Sequence, residues 1–266
     1  MTIAHVNDID IHFEIHGSGP PLVLIMGLRR NAEWWYHQIP ELSTHFTVVA
    51  FDNRGAGRSD KPAMEYSIRL FADDTAGLMD FLSIPKAHIL GISMGGYIAQ
   101  ELAINYPDKI NGLILGCTSC GGKRGVHMPE EKMEKFQANK GLTPEQILRK
   151  DMDLYFSDRF VREHPDRIEK FVQVSLRYYQ PADAFFRQLD ACLKHDTADR
   201  VHRISAPTLI MTGDDDYLVP SENSLTLKEL MPDADVELFP GCRHCFFMEE
   251  PVKFNKSVIS FLQCID

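Results

Sequence analysis

The stretch Gly91-Ile-Ser93-Met-Gly95 places one serine between two glycines, after an apolar run and before a helical pattern. This G-x-S-x-G spacing is typical of a nucleophile elbow, a strand-to-helix turn that leaves no room for side chains beside the serine. Such a turn would expose the Ser93 hydroxyl near the positive end of a helix. The competing interpretation is a structural turn in which small residues serve packing alone.

A serine hydroxyl is a weak nucleophile, so it needs a base, and the base needs an orienting acid. For an elbow of this type the chain order is serine, then aspartate or glutamate, then histidine. Among eleven histidines, His244 follows the last clear strand, in the loop FPGCRHCFFMEEP. His195 and His202 precede the expected acid, and we interpret them as surface residues. His244 is therefore the predicted general base.

The acid is expected after the strand PTLIMTG, where Asp214, Asp215 and Asp216 are adjacent. Chemistry alone leaves the three open, because aspartates also cap turns and helices or simply face solvent. The end of the preceding strand, Cys117-Thr-Ser119, carries no carboxylate. One of the three aspartates is therefore the predicted partner of His244.

These side chains need a sheet to bring them together, and short apolar runs predict its strands. The central runs are continuously apolar, as in strands covered on both faces of a parallel sheet. The first run alternates apolar and polar residues, which fits an antiparallel strand with one wet face. The predicted strands are Ile9–Ile15, Leu22–Met26, Thr47–Phe51, Ala87–Gly91, Gly112–Cys117, Pro207–Thr212 and Val236–Phe239.

Helical patterns alternate with these runs, at Ser67–Leu82, Met94–Tyr106, Asn223–Met231 and Val252–Leu262. The alternation indicates an α/β fold with a mostly parallel sheet. Residues 121–200 contain no convincing strand, and we interpret them as a helical cap on a core formed by residues 1–120 and 201–266. The predicted cap helices are Pro129–Ala138, Thr143–Tyr155, Asp158–Arg177 (broken near Pro165) and Ala182–His195.

Four motifs in this order resemble the α/β-hydrolase superfamily, in its branch of small esterases and enol-lactonases. After the penultimate core strand this family shows G-x-x-D-x-x-x-P, matched by Gly213, Asp216 and Pro220, so the resemblance selects Asp216 as the acid. The remaining matches are Gly241-Cys-Arg-His244 before the last helix, and a structural loop read as Asp52-Asn-Arg-Gly-Ala-Gly-Arg-Ser59. The resemblance implies the α/β-hydrolase fold along nearly the whole chain.

Attack by Ser93 would place negative charge on a substrate oxygen, which two backbone N–H groups normally stabilise in an oxyanion hole. Met94 supplies the first by its position after the nucleophile, and the resemblance assigns the second to Leu28. Relatives often carry His-Gly and then a double glycine in this loop. This chain instead has Met26-Gly27 and Arg29-Arg30.

The two arginines leave two interpretations open. Arg29 and Arg30 could bind a substrate carboxylate, because guanidinium and carboxylate groups match in shape and charge. The alternative, which the sequence favours, is that both face solvent or pair with acidic residues of the cap.

The composition limits the partners. The chain has 266 residues, 44% hydrophobic and 25% charged, with a formal net charge of −10. This acidic balance opposes binding to a phosphate backbone, so no nucleic acid is expected. No apolar run reaches about 18 residues and no signal pattern opens the chain, so we expect no membrane contact and a cytoplasmic location. The oligomeric state stays open, with a homodimer allowed.

Two C-x-x-C pairs, Cys117–Cys120 and Cys242–Cys245, have the spacing of redox or metal motifs. Neither pair has a matching second half, and a chain of this size does not need disulfides. We interpret them as buried or incidental free thiols. No metal and no organic cofactor is expected, because a serine triad needs neither.

The predicted reaction is hydrolysis of a small carboxylic ester or lactone through an acyl-enzyme on Ser93. Haloperoxidase or perhydrolase chemistry and carbon–carbon bond hydrolysis use the same triad and stay open, although the latter enzymes usually carry Trp where Cys245 follows His244. Dehalogenases and epoxide hydrolases use Asp in place of Ser93, which excludes them. A non-catalytic ligand-binding protein on this fold is the alternative of another class.

Overall fold

The computed structural model describes residues 2–265. Its eight strands are β1 (Thr2–Val6), β2 (Ile9–His16), β3 (Pro21–Ile25), β4 (Thr47–Phe51), β5 (Ala87–Ile92), β6 (Ile110–Gly116), β7 (Thr208–Gly213) and β8 (Asp235–Phe239). They form one sheet in the order β1-β2-β4-β3-β5-β6-β7-β8. The pairings β1–β2 and β2–β4 are antiparallel, and all others are parallel. The α/β class and the mostly parallel sheet are confirmed.

All seven predicted strands are present, with ends shifted by at most two residues. Strand β1 was not predicted. It lies at the edge of the sheet, so the first predicted strand, β2, is not the edge strand. β1 joins β2 through the two-residue loop Asn7-Asp8, whose φ angles are +48° and +60°. Positive φ at both positions is typical of a type I′ hairpin turn, for which Asn and Asp are favoured. The Asn-Asp pair was therefore the signal for the missing strand.

Twelve α-helices occur among residues 2–265. They are α1 (Ile39–Leu42), α2 (Ile68–Phe81), α3 (Met94–Asn105), α4 (Glu130–Gln137), α5 (Pro144–Lys150), α6 (Met152–Tyr155), α7 (Asp158–Glu163), α8 (Pro165–Arg177), α9 (Ala182–Leu193), α10 (Glu222–Leu230), α11 (Phe246–Glu249) and α12 (Pro251–Gln263). The predicted break at Pro165 is confirmed, because α7 ends before it and α8 begins with it. Within this part of the chain, no helix combines the length and apolar character needed to cross a bilayer.

Helices α4 to α9 form an insertion between β6 and β7, and its two ends pair with each other. Gly121 forms an isolated antiparallel bridge with Asp196. The Gly122 N–H donates to the His195 carbonyl at 3.0 Å, and the Thr197 N–H donates to the Cys120 carbonyl at 2.8 Å. The chain thus leaves and re-enters the core at one place, the neck formed by residues 120–122 and 195–197. The division into a core and a cap with boundaries near residues 121 and 200 stays a prediction.

The central strands of the sheet are buried on both faces, as their continuous apolar runs predict. Every residue of β5 and β7 is buried. One face is covered by a cluster that contains Trp35, Phe46, Phe246 and Phe254, and the other by Phe71, Met79, Ile98 and Leu102. Removing such side chains from water is the main favourable contribution to folding, at about 1.5–3 kcal/mol for each fully buried one.

Helix α3 approaches the sheet too closely for side chains at two positions. A Cβ on Gly91 would lie 2.2 Å from the Gly95 carbonyl oxygen, and a Cβ on Gly95 would lie 2.0 Å from the Ile25 carbonyl oxygen. Both obstacles are backbone atoms of the core, which cannot move aside as a flexible side chain can. The steric reason for the two glycines of the serine motif is therefore confirmed.

We expect Gly95→Ala to lower the free energy of unfolding by about 2 kcal/mol or more, because the added methyl forces α3 away from β3. The measurement is urea unfolding followed by far-UV circular dichroism. Ser260→Ala, on the exposed side of α12, serves as the control and should change stability by less than about 0.5 kcal/mol. Equal stability of the two variants would contradict the close approach of α3.

Candidate active site

Ser93 lies in the turn between β5 and α3, with φ +59° and ψ −120°. Positive φ is strained for a residue that carries a Cβ, so the surroundings must hold it. The Ser93 N–H donates to the Gly116 carbonyl at 2.8 Å, and its own carbonyl accepts from the Thr118 hydroxyl at 2.9 Å. The end of β6 and the loop after it therefore fix the strained turn.

His244 and Asp216 follow β8 and β7, which are neighbouring parallel strands. The His244 Nδ1 lies 2.8 Å from Asp216 Oδ2, and both side chains are buried. The other carboxylate oxygen, Oδ1, accepts from the N–H groups of Leu218 at 2.8 Å and Val219 at 3.0 Å. A carboxylate fixed in this way keeps the imidazole proton on Nδ1 and leaves Nε2 as a proton acceptor.

The two aspartates beside Asp216 have other partners. Asp214 Oδ1 accepts from the Gly241 N–H at 2.6 Å, and Asp215 Oδ2 accepts from the Arg243 Nε at 3.1 Å. Only Asp216 of the three forms a hydrogen bond with His244. Residue chemistry alone left the choice open, and the resemblance selected the aspartate that contacts the imidazole.

Ser93 and His244 line the same cavity, yet no hydrogen bond joins Ser93 Oγ to His244 Nε2 within residues 2–265. His244 Nε2 lies instead 3.9 Å from the Cys117 Sγ. Of the two hydrogen bonds in the predicted triad, the one between Asp216 and His244 is therefore formed, and the one between His244 and Ser93 is not. Catalytic hydrogen bonds often tighten only when the substrate is bound.

Cys117, predicted to be a buried or incidental thiol, is a neighbour of the imidazole. It is buried and free, as expected for all four paired-motif cysteines. Burial raises the pKa of its thiol, which favours the protonated form. Ligand atoms of Cys117, Asp216 and His244 lie within 4.8 Å of one another, a spacing that suits a small metal site. Both Asp216 oxygens already accept hydrogen bonds, so the cluster favours orienting the imidazole over holding an ion.

The loop after β3 passes directly beside the nucleophile. The Arg30 N–H donates to the Gly27 carbonyl at 3.2 Å, which closes a turn with Leu28 and Arg29 at its centre. A Cβ on Gly27 would lie 3.0 Å from the Ser93 Cβ and 3.5 Å from its Oγ. Leu28 and Met94 line the same cavity, and their N–H groups remain the predicted oxyanion donors.

The loop from Asp52 to Ser59 supports that turn from outside the cavity. Asp52 accepts from the Ala32 N–H at 2.8 Å, and Asn53 Nδ2 donates to the Met26 carbonyl at 2.8 Å. Arg54 donates two hydrogen bonds of 2.7 Å to the buried carboxylate of Asp74. Residues 52–59 do not line the cavity, which agrees with the structural role expected for this motif.

The cavity at Ser93 has a volume of about 740 Å³, a typical size for a small-molecule site. The core supplies one wall with Ser93 and His244. The insertion supplies the other wall, which is mostly apolar and includes Met128, Met133, Phe136, Ile147, Tyr155, Phe185 and Leu189.

Arg29 and Arg30 both line this cavity, and neither forms an ion pair with a carboxylate in the described chain. The Arg29 Nη2 donates to the Tyr179 hydroxyl at 2.7 Å. The Arg30 side chain is buried, and its guanidinium carbon lies 4.0 Å from the ring centroid of Trp34. The expectation that both arginines face solvent or pair with acidic cap residues is therefore wrong.

His195 is not a surface residue, contrary to our expectation, whereas His202 is exposed as expected. His195 lies at the neck of the insertion, lines the cavity and stacks on Tyr97 at 4.3 Å between ring centroids. Burial lowers the pKa of His195 to about 4. Position in the sequence could not reveal this burial, because it depends on the pairing of residues near 121 with those near 196.

Comparison with known proteins decides the family. The model of the family described as "Serine aminopeptidase, S33" matches residues 21–251. The chain belongs to this family of α/β hydrolases. It is therefore a hydrolase, and the resemblance inferred from its motifs is confirmed.

Individual relatives span the whole chain. A putative carbamate hydrolase RutD from Azorhizobium caulinodans is 29% identical over 266 residues and is covered completely, as is this chain. The 3-oxoadipate enol-lactonase 2 of Acinetobacter baylyi is 28% identical over 94% of this chain and 92% of its own. The crystal structure of the enol-lactonase from Burkholderia xenovorans LB400 has a TM-score of 0.88 at 24% identity, over 98% of this chain and all of that one. This last similarity confirms the α/β-hydrolase fold.

His195 leads us to expect a loss of stability in acid. Because its pKa falls from 6.5 to about 4 on folding, the unfolded chain binds this proton first. Above pH 6.5 His195 is neutral in both states and does not reduce the free energy of unfolding. As the pH falls from 6.5 toward 4, the unfolded chain binds the proton and the free energy of unfolding decreases. Between pH 7 and pH 4.5 the free energy of unfolding should therefore decrease by about 2 kcal/mol less in His195→Gln than in the unaltered protein. Urea unfolding at several pH values measures this slope, and parallel slopes for both proteins would oppose a buried neutral imidazole.

Proposed function

We propose that this α/β hydrolase cleaves a small carboxylic ester or lactone with Ser93, His244 and Asp216. One observation carries the proposal: a serine in a strained strand-to-helix turn shares a cavity wall with a histidine whose Nδ1 is held at 2.8 Å by a buried aspartate. Such strain persists only where the surrounding structure enforces it, and it is concentrated at functional sites.

In the proposed reaction His244 Nε2 removes the Ser93 proton while Oγ attacks the substrate carbonyl. The tetrahedral intermediate collapses, His244 protonates the leaving alcohol, and the acyl group stays on Ser93. A water molecule, deprotonated by His244, then releases the acid and restores the serine. Asp216 stabilises the imidazolium in both halves. For the first step the Ser93 hydroxyl must come within hydrogen-bond distance of Nε2, and catalytic hydrogen bonds of this kind often tighten when the substrate binds.

The N–H groups of Leu28 and Met94 are the proposed oxyanion donors. Met94 opens α3, so its N–H adds to the positive potential of a helix N-terminus. Leu28 lies in the turn whose first residue, Gly27, leaves no space for a side chain against Ser93. Each donor would stabilise the transition state by about 3 kcal/mol.

The cavity supports an ester-type substrate over a peptide with a free amino terminus. Its described lining residues include no aspartate and no glutamate, so no carboxylate is available to bind a substrate ammonium group. The family description names an aminopeptidase, whereas the relatives compared above are named for carbamate and enol-lactone hydrolysis. We therefore propose a small, partly apolar ester, lactone or carbamate, closed off from water by the cap at residues 121–200.

The first test is a burst experiment. Rapid mixing with p-nitrophenyl butyrate should release about one equivalent of p-nitrophenol per site before the steady state, because this activated ester acylates the serine faster than water removes the acyl group. Ser93→Ala should lose the burst and all labelling by a fluorophosphonate. A protein that shows neither burst nor labelling would instead be a ligand-binding protein on this fold.

The second test separates Asp216 from its neighbour. Asp216→Asn should lower kcat by about 10³ to 10⁴, because the imidazole loses its orientation and the stabilisation of its charge. Asp215→Asn is the matched control, since Asp215 binds Arg243 and not His244. It should retain kcat within about threefold, and equal losses in both variants would remove Asp216 from the proposed relay.

A further inference from the structure

The cavity carries positive charge in an acidic protein. The chain has a formal net charge of −10, yet the charged side chains that line this cavity within residues 2–265 are Arg29 and Arg30, apart from titratable histidines. No aspartate, glutamate or lysine contributes to the wall. A low-dielectric cavity with two positive groups and no carboxylate concentrates negatively charged ligands.

Arg30 is the more unusual of the two. Its side chain is 6% exposed, and its Nη2 is buried without a hydrogen-bond partner. Burial lowers the pKa of the Arg30 guanidinium, and the neighbours that also act on it are Tyr155, Arg29 and Cys245, none of which is a carboxylate. A buried guanidinium without a counter-ion is costly, and proteins usually pair such a charge.

The aromatic surroundings hold the Arg30 guanidinium without neutralising it. The guanidinium carbon lies 4.0 Å from the Trp34 ring centroid and 5.3 Å from that of Tyr155. Stacking of this kind fixes the plane of the guanidinium and leaves its edge for hydrogen bonds. A planar carboxylate is the group that this edge fits in a bidentate manner.

Arg29 differs from Arg30 in its environment. It is half-buried and donates to the Tyr179 hydroxyl at 2.7 Å. It also acts electrostatically on the buried carboxylate of Asp151, which is paired with Lys150 at 3.0 Å. Arg29 is thus half-buried with a hydrogen-bond partner, whereas the Nη2 of Arg30 is buried without one.

Arg30 is also placed close to the reacting groups. It ends the turn that begins at Gly27, where a Cβ would lie 3.5 Å from the Ser93 Oγ. Its neighbour Cys245 directly follows His244 in the chain. A substrate held by Arg30 would therefore keep its scissile carbonyl within the same end of the cavity.

From these contacts we propose that Arg30 is a carboxylate-binding residue, and that the substrate is an ester or lactone that bears a free carboxylate. The proposal rests on the proposed hydrolysis by Ser93 and specifies its substrate class. One buried positive charge matches a monoanion, which favours a carboxylate over a phosphate dianion. Arg30 acts here as a specificity-determining residue, because the carboxylate it binds takes no part in bond breaking.

The test uses matched pairs of esters that differ only in a terminal carboxylate. Monomethyl glutarate is compared with methyl valerate for a charge in the acyl half, and 4-(butyryloxy)butanoate with butyl butyrate for the alcohol half. We expect kcat/KM to be at least tenfold higher for the acidic member of one pair. A preference for the neutral member in both pairs would overturn the proposal.

Variants then assign the preference to Arg30. Arg30→Met should lower kcat/KM for the acidic ester at least tenfold more than for its neutral partner, mainly by raising KM. Arg30→Lys should retain part of the preference for the acidic ester, because lysine keeps the positive charge and loses the two parallel N–H donors of the guanidinium. Arg29→Met removes the more exposed charge of the same cavity, so it should lower the ratio by less than Arg30→Met does. Equal losses on both esters in Arg30→Met would show a packing role instead.

A measurement on the unaltered protein guards against poor folding of the Arg30 variants. Valerate should inhibit hydrolysis of methyl valerate competitively, at least tenfold more tightly than the uncharged pentanamide, and this difference should shrink at high salt. Equal inhibition would contradict the proposal. If no ester of either pair is hydrolysed in a Ser93-dependent manner, the proposed function itself fails, which is a separate outcome.

Discussion

The close approach of α3 to the sheet is the constraint on which the rest of the site depends. The carbonyl oxygens of Gly95 and Ile25 occupy the space where Cβ atoms of Gly91 and Gly95 would lie. In this tight turn Ser93 takes a positive φ, which hydrogen bonds with the end of β6 and the loop after it maintain. The strained serine is thus a consequence of backbone packing, and the stability of the core sustains it.

The opposite wall of the site follows from the parallel sheet. Because β7 and β8 are parallel neighbours, the loops that follow them leave from the same edge and bring Asp216 to His244. Each of the three adjacent aspartates has its own partner, Gly241, Arg243 or His244. Ser93 reaches this edge from β5, two strands away from β7 in the sheet. The order of the strands therefore brings residues more than a hundred positions apart in the sequence to the same cavity.

Much of this arrangement could be predicted from sequence. Apolar patterns predicted seven of the eight strands. The central runs are continuously apolar because burial on both faces leaves a strong local signal, and the run of β2 alternates because one of its faces is wet. The glycines around Ser93 and the motif around Asp216 encode local geometry in a few residues. β1 was missed because its five residues show only two buried positions, and the Asn-Asp turn beside it was not used. His195 was misjudged because its surroundings come from distant segments that meet at the neck of the insertion. The contact of Cys117 with the His244 imidazole has the same tertiary origin and leaves no local signal.

The sequence by itself determined the fold class, the order of the reactive residues and the position of the tight turn, since each of these depends on local periodicity or on residues near one another in the chain. Only the tertiary structure decided which charges remain unpaired, and it placed Arg30 among aromatic rings and away from the cap's carboxylates. It also decided that the His244 imidazole lies next to Cys117 and forms no hydrogen bond with Ser93. Pairing and burial are properties of the packed interior, where segments far apart in sequence meet, and no local pattern records them.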